Sequence, residues 1–411
     1  MCLPTAYPFA LLLIMMLAAC APATEPTKQL SQVQIEERLK SLSELSLKRA
    51  QSLPIDSLNI PRSLNPDGSL HGTKSRSWTS GFYPGTLWQL YGFSKDQELM
   101  DLAQQWTAFV AKEQFDTHTH DLGFKIYCSF GQGLAYADKA QYEKIILQAS
   151  RTLIQRYNPK IGAIRSWDFN QDRWQFPVII DNMMNLEMLF EAEKLSQEEN
   201  FAKIALQHAM TTYQNHFRDD HSSFHVVSYD TILAEPHIRQ THQGVADNSA
   251  WARGQAWGLY GFTLAYRYTQ NKTFLAQAQQ IAAFMFEHPN MPQDLIPYWD
   301  FDAPNIPHEI RDVSAAAVAA SALIELSQFS GASFGERYLA WADKILVSLQ
   351  QPKYQSSLGP FILAHSAGNV PDSSEVDVPI VYADYYYVEA LLRRLELHTT
   401  KKEPSVKLSR Y

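Results

Sequence analysis

Apolar and polar positions alternate along most of the chain with the spacing of helices. Amphipathic segments, with apolar residues three and four positions apart and charges on the opposite face, occur at 30–52, 96–114, 139–157, 197–216, 271–288 and 334–350. Segments rich in small and aromatic residues and poor in charge alternate with them, at 80–91, 125–137, 182–194, 249–268, 313–328 and 384–397. A short patch at 222–230, SSFHVVSYD, alternates like a strand. The pattern predicts an all-α protein.

The alternation of two kinds of helix indicates an internal repeat of helical hairpins. A helix without a charged face must be enclosed, and six apolar helices inside six amphipathic ones satisfy every face. We therefore predict an (α/α)6 six-hairpin toroid, a double ring of helices, over residues 31–398. Five of the apolar segments are introduced by an aspartate: Asp121, Asp181, Asp247, Asp312 and Asp384. Helix capping is the alternative interpretation of each, because aspartate is a good N-cap.

The loops predict where a functional site lies. Connections from an apolar to an amphipathic helix are short, whereas the reverse connections are long and hold most of the Trp, His and Asp residues. All the long loops should therefore meet at one rim of the toroid. The inner helices present their N-termini there, and free amides and helix dipoles favour an anion. An acidic ligand is expected at this rim.

The N-terminal residues indicate where in the cell the protein is located. Residues 1–20, MCLPTAYPFALLLIMMLAAC, contain an apolar run too short to span a membrane, and small residues precede Cys20. They predict a lipoprotein signal peptide at 1–19, lipid attachment at Cys20, a tether at 20–30 and a polar tail at 399–411. We expect a bacterial periplasmic or cell-surface protein that touches a membrane only through its lipid; an ordinary secretory signal is the alternative.

Composition narrows the kinds of partner and site. The net charge of −8 leaves no basic footprint for nucleic acid. The chain has only three cysteines, Cys2, Cys20 and Cys128, which excludes a disulfide framework and a cysteine-rich zinc site. No glycine-rich nucleotide loop and no GxSxG motif is present.

The stretch THTHDLGFKIY, residues 117–127, raises the possibility of a metal site, since His118 and His120 flank Asp121. A metal would need a third ligand, and no HExxH or comparable spacing supplies one, so we predict none. Sugar fits better, because flat aromatic faces stack on pyranose rings and six tryptophans lie in or next to the long loops: Trp78, Trp167, Trp174, Trp251, Trp257 and Trp299. Core packing is the alternative for each tryptophan. Carboxylates, tryptophans and histidines together are typical of a glycosidase.

Five segments resemble the unsaturated glucuronyl hydrolases, glycoside hydrolase family 88: HDLGF at 120–124, IIDNMMNLEMLF at 179–190, DNSAWARGQAWGLYGF at 247–262, RDVSAAAVAAS at 311–321 and VPIVYADYYYVEALLR at 378–393. The resemblance covers essentially the whole mature chain. It implies the same toroid, no metal or organic cofactor, and removal of 4,5-unsaturated glucuronic acid from the non-reducing end of lyase-generated oligosaccharides. In that family a carboxylic acid protonates C4, water adds at C5, and the hemiketal opens and expels the aglycone.

The resemblance also implies roles for individual residues. Asp181 would be the catalytic acid and base, and the apolar residues 176–180 before it suit a raised pKa. Asp121 would be the second catalytic carboxylate. The implied substrate-binding residues are Trp78, His120, His225, Gln243, Trp251, Arg253 and Trp257.

Several alternatives stay open at this point. Arg253 could bind the uronate carboxylate through two hydrogen bonds or form an internal ion pair with Asp247. His118 is expected to be a surface residue. The last long loop, 366–377, has serines but no Lys or Arg, so sulfate recognition is not expected there. The rival functions are an unsaturated rhamnogalacturonyl hydrolase and a non-catalytic surface lipoprotein that binds glycans.

Overall fold

Two concentric rings of helices make up most of the computed structural model, which describes residues 29–198 and 200–400. The outer helices are α1 (Gln32–Gln51), α3 (Gln97–Val110), α4 (Lys139–Ile154), α6 (Asn200–Asn215), α8 (Lys272–Glu287) and α10 (Ala332–Leu349). The inner ones are α2 (Phe82–Ser94), a π-helix (Gly123–Gly131), α5 (Leu186–Ser196), α7 (Ala252–Thr269), α9 (Val313–Phe329) and α11 (Val381–Thr400). Every predicted helix has its counterpart within the described residues.

The inner helices form a closed ring. In chain order each contacts the next, from α2 through the π-helix, α5, α7 and α9 to α11, and α11 contacts α2. The burial of the helices agrees with the predicted apolar inner and amphipathic outer rings. The inner helix α9 is buried from Val313 to Ser327, whereas the outer helix α10 buries only one face. The predicted (α/α)6 toroid is confirmed.

The aspartates that precede or open the inner helices have different roles. Asp312 is a true N-cap and accepts hydrogen bonds from two backbone amides of α9. Asp384 lies inside the first turn of α11, which begins earlier than predicted, and its carboxylate accepts from two amides of the preceding loop. Asp247 accepts from the amide of Thr241, within its own loop. Capping therefore explains only Asp312 among these three, and Asp121 and Asp181 belong to the site described below.

Four small sheets stiffen the loops. The pairs are β1 (Ile60–Leu64) with β2 (Leu70–Thr73), β3 (Tyr157–Asn158) with β4 (Ala163–Ile164), and β8 (Ser366–Asn369) with β9 (Ser374–Val378). The fourth has three strands in the order β5 (Pro177–Ile179), β6 (Val226–Tyr229) and β7 (Pro236–Gln240), all antiparallel. The alternating patch at 222–230 contains β6.

The helix predicted at 125–137 is instead a π-helix, and α2 packs directly on its backbone. Gly81 and Gly85, one helical turn apart, make this approach possible, because a Cβ on either would overlap carbonyl oxygens at Phe124 or Cys128.

Replacing Gly85 by alanine should lower the free energy of unfolding by about 1–3 kcal/mol, because a rigid backbone carbonyl cannot move aside as a flexible side chain could. Urea unfolding followed by circular dichroism measures this. Gly258→Ala on α7 is the matched control, because its Cβ would meet Ile281 at an ordinary 3.4 Å. Equal stability of the Gly85 and Gly258 variants would contradict the close packing.

Some predictions lie outside the described residues. These are the signal peptide at 1–19, the lipid site at Cys20, the tether up to residue 28 and the tail from residue 401, and they stay predictions. Within the described ranges, none of the helices combines the length and the apolar character needed to cross a bilayer.

Candidate active site

The long loops meet around a cavity of about 620 Å3, a volume suited to a small oligosaccharide. Six of the predicted site residues line it: Trp78, His120, Asp121, Asp181, Gln243 and Arg253. The structure adds lining residues that sequence analysis did not single out for the site, among them Arg62, Arg76, Asp168, His242, Glu375 and Tyr382. The cavity thus unites segments from both ends of the chain.

The three-stranded sheet positions Asp181. Strand β5 ends at Ile179, opposite Val226 of β6, and the chain then turns into a short 3-10 helix, Ile180–Asn185. Asp181 stands in the first turn of that helix, 7% exposed, and its Oδ2 makes no hydrogen bond within the described residues. Burial raises the pKa of Asp181 to about 6, although His120 and Arg253 act against the shift. Such a carboxyl can hold a proton near neutral pH.

The same sheet fixes the ring of His225, which precedes β6. Its Nδ1 accepts hydrogen bonds from the backbone amides of His242 and Gln243, each 3.1 Å long. Burial, helped by His242 and Arg253, holds the pKa of His225 well below its usual value, so the ring is neutral. An accepting Nδ1 places the proton on Nε2, which lies 3.7 Å from Asp181 Oδ2. His225 therefore places a ring N–H near the carboxyl group.

Asp121 has a different environment from Asp181. His120 Nε2 lies 3.2 Å from its Oδ1, and the Thr119 hydroxyl donates to its Oδ2 at 2.5 Å. Burial alone would raise the pKa of Asp121, but His120, Thr119 and, farther off, Lys125 outweigh it and lower the pKa. Two carboxyl groups with opposed shifts, one ionised and one able to hold a proton, are typical of an acid and base pair.

Aromatic rings form one wall of the cavity. Trp78, which is partly exposed, stacks on Tyr382 of α11 with 5.0 Å between ring centroids and 29° between planes. Phe124, from the HDLGF segment, lies against the same tryptophan at 5.4 Å. The wall therefore presents to a sugar ring an aromatic face whose position is fixed by packing.

Arg253 lines the cavity and already has partners within the protein. The ion pair it forms is with Asp312, at 3.2 Å, so the predicted alternative partner Asp247 is wrong. Its two terminal nitrogens also donate to the backbone carbonyls of Ala367 and Gly368, and the residue is 1% exposed. A two-hydrogen-bond clamp on a uronate would need these donors to leave their partners. In this arrangement Arg253 instead anchors β8 and supplies positive charge near Asp181.

Two of the predicted substrate-binding tryptophans lie behind the cavity wall and do not line it. The Trp251 ring packs 4.6 Å from the His225 ring and 4.5 Å from the Arg253 guanidinium. Trp257 is fully buried against Phe124, which matches the core-packing alternative. Both support residues of the site without facing the cavity.

The two histidines of THTHDLGFKIY diverge. His118 is 69% exposed and lies 3.7 Å from Asp168, whereas His120 is buried against Asp121. In the described residues no cluster of three His, Cys, Asp or Glu side chains is arranged to hold a metal ion. Gln243, the remaining predicted contact, donates its side-chain amide to the Gly368 carbonyl at 3.0 Å.

Comparison with known proteins places this site in a family, although no family model matches the chain. An unsaturated glucuronyl hydrolase of Formosa agariphila is 46% identical over 384 residues, 92% of this chain and 94% of the relative. The crystal structure of an unsaturated glucuronyl hydrolase specific for heparin superposes with a TM-score of 0.86 and 45% identity, covering 90% of this chain and 99% of that one. A mutant enzyme of the same name from Streptococcus agalactiae, complexed with dGlcA-GalNAc6S, gives 0.75 and 25%, covering 89% and 92%. The chain therefore belongs to the unsaturated glucuronyl hydrolases, a family of glycoside hydrolases, as its sequence motifs predicted.

Proposed function

We propose that this protein removes 4,5-unsaturated glucuronic acid from the non-reducing end of lyase-generated oligosaccharides, with Asp181 as the acid and base that hydrates the C4=C5 double bond. The observation that carries the proposal is the buried carboxyl of Asp181, with a pKa of about 6, in an open cavity beside an ionised Asp121. Relatives named for this activity support it.

The same carboxyl group acts twice in the reaction, first as an acid and then as a base. Protonated Asp181 gives its proton to C4 of the enol ether, and positive charge develops at C5 and the ring oxygen. Water then bonds to C5 and returns a proton to the Asp181 carboxylate, which restores the acid. The resulting hemiketal opens to a ketone at C5 and a hemiacetal at C1, which expels the aglycone as an alcohol. Because C1 is not attacked, the separation of the carboxylates does not predict retention or inversion.

The surrounding residues have supporting roles in this proposal. The Nε2–H of His225 stabilises the Asp181 carboxylate once its proton has left, and the negative charge of Asp121 favours the protonated form beforehand. Asp121 also accepts hydrogen bonds from sugar hydroxyls. Trp78 stacks on the unsaturated ring, and Tyr382 supports the tryptophan from behind.

The test is to mix the protein with lyase-generated unsaturated disaccharides from chondroitin, hyaluronan, heparin, ulvan, xanthan and gellan and to follow the ultraviolet absorbance of the enol. We expect the absorbance to decay with at least one glucuronate substrate, because hydration removes the double bond. Free aglycone should appear at the same rate.

The rival functions give other results. An unsaturated galacturonyl-rhamnose disaccharide is added to the panel to test the first rival, and decay confined to this substrate would identify a rhamnogalacturonyl hydrolase. Binding of the disaccharides without decay of any of them would leave a glycan-binding protein and end the enzyme proposal.

A further inference from the structure

Three of the carboxylates that line the cavity are each paired with a cation. Ion pairs of 2.6 to 2.9 Å join Asp116 to Lys125, Asp168 to Arg156, and Glu375 to Arg62. Arg253 is likewise matched by Asp312. Arg76 also lines the cavity, but across residues 29–198 and 200–400 it makes neither a hydrogen bond nor an ion pair. Arg76 interacts electrostatically with Asp116, but that carboxylate is already ion-paired with Lys125, so within those ranges Arg76 has no direct ion-pair partner of its own.

The turn that carries Arg76 is held on both sides. The Ser75 hydroxyl is buried and donates to Glu113 at 2.7 Å, and the Ser77 hydroxyl accepts from Arg62 at 3.2 Å. The backbone amide of Ser77 donates to the Lys74 carbonyl and closes the turn. Two residues later Trp78 enters the aromatic wall. Arg76 is thus an exposed cation on a fixed turn, so little backbone ordering is needed when it binds a ligand.

The last long loop, 366–377, does not supply a Lys or Arg side chain to bind an anionic ligand. Its hairpin lines the cavity through Glu375, and both oxygens of that carboxylate accept hydrogen bonds from Arg62, at 2.7 and 2.6 Å. The charges of this pair cancel, and the hairpin has no Lys or Arg of its own. Positive charge for an anion therefore comes from the N-terminal turn, far from this hairpin in sequence.

We propose that Arg76 binds an anionic substituent on the aglycone, either a sulfate ester or the carboxylate of a following uronate, and so determines which oligosaccharides are preferred. A guanidinium forms charge-assisted, two-point hydrogen bonds with either group. This inference rests on the proposed function, because the aglycone is defined by the unsaturated sugar bound at Asp181.

The experiment compares Arg76→Ala with Lys74→Ala, a matched control that removes the same charge from the same turn at an exposed residue outside the cavity lining. We expect Arg76→Ala to lower kcat/KM about tenfold on a substrate with an anionic aglycone and to change it less than twofold on the neutral counterpart. Lys74→Ala should change neither. Thermal unfolding of both variants should match the wild type.

Two pairs of substrates distinguish the two anionic groups that Arg76 could bind, a sulfate ester and a uronate carboxylate. A loss seen with a sulfated but not an unsulfated unsaturated disaccharide of one backbone assigns Arg76 to sulfate. A loss seen with an unsulfated tetrasaccharide but not its disaccharide assigns it to the carboxylate.

Equal losses on neutral and anionic substrates, or an equal loss in Lys74→Ala, would overturn the role of Arg76 while leaving the proposed function intact. Failure of the wild type to hydrolyse any unsaturated substrate would remove both proposals. Wild-type preference for neutral over anionic aglycones throughout would also overturn the inference.

Discussion

Asp181→Asn should lower kcat by about 10²–10⁴-fold, the range that a positioned general acid and base contributes. Asparagine keeps the size and polarity of the side chain but cannot give a proton to C4. KM should change little, because the amide still fills the same place in the cavity. The loss of enol absorbance under saturating substrate measures kcat directly.

A second buried aspartate provides the control for this variant. Burial raises the pKa of Asp384 to about 7, but Asp384 binds backbone amides of a loop and does not line the cavity. Asp384→Asn should therefore leave kcat near the wild-type value in whatever fraction of the protein folds. Full activity of Asp181→Asn would refute the assigned acid and base.

The raised pKa of Asp181 also predicts a pH dependence. The free enzyme needs Asp181 protonated, so kcat/KM should fall as pH rises through about 6.

The raised pKa of Asp181 also determines how the stability of the protein changes with pH. An ordinary aspartate has a pKa near 3.9 when unfolded, so stability falls between about pH 4 and pH 6, where the unfolded chain has lost a proton that the buried carboxyl still holds. At neutral pH the Asp181→Asn variant should be at least as stable as the wild type, as expected where a site is maintained at a cost in stability.

Helical periodicity was sufficient to predict the toroid because burial dictates composition. An inner helix such as α9 has no solvent-facing side, and its run of small apolar residues reflects that directly. The π-helix at Gly123–Gly131 could not be predicted in this way. Most of its residues are buried, so the burial pattern does not distinguish it from an α-helix, and α2 approaches its backbone closely at Gly81 and Gly85.

The site was predictable where one short motif holds a residue together with its partners. HDLGF contains Asp121 and its neighbour His120, and the apolar strand before Asp181 accounts for its raised pKa. Pairs formed between different inner helices could not be predicted. The pairing of Arg253 with Asp312 joins two inner helices, and no spacing in the sequence predicts which carboxylate a buried arginine meets.

For the same reason, the sequence did not predict which other cations line the cavity. Arg62 and Glu375 are 313 positions apart, and only closure of the ring between α11 and α2 brings the two ends of the chain together. A search for basic residues in the last long loop therefore could not find Arg62 or Arg76, which come from the opposite terminus.

Asp121→Asn should lower kcat/KM by about 10²–10³-fold, somewhat less than loss of the proton donor itself, and should also move the alkaline limb of the pH profile to lower pH. The direction follows from charge. Ionised Asp121 raises the pKa of Asp181, so removing that charge lets Asp181 lose its proton at a lower pH.

The shift of the limb separates two roles for Asp121. A carboxylate that only held sugar hydroxyls would raise KM and leave the limb in place, whereas one that tunes Asp181 moves the limb as well. Thr117→Ala is the matched control on the same loop, because Thr117 is exposed and does not line the cavity. It should alter neither kcat/KM nor the limb. An unmoved limb in Asp121→Asn would confine this residue to binding, and Asp181 would then owe its raised pKa to burial alone.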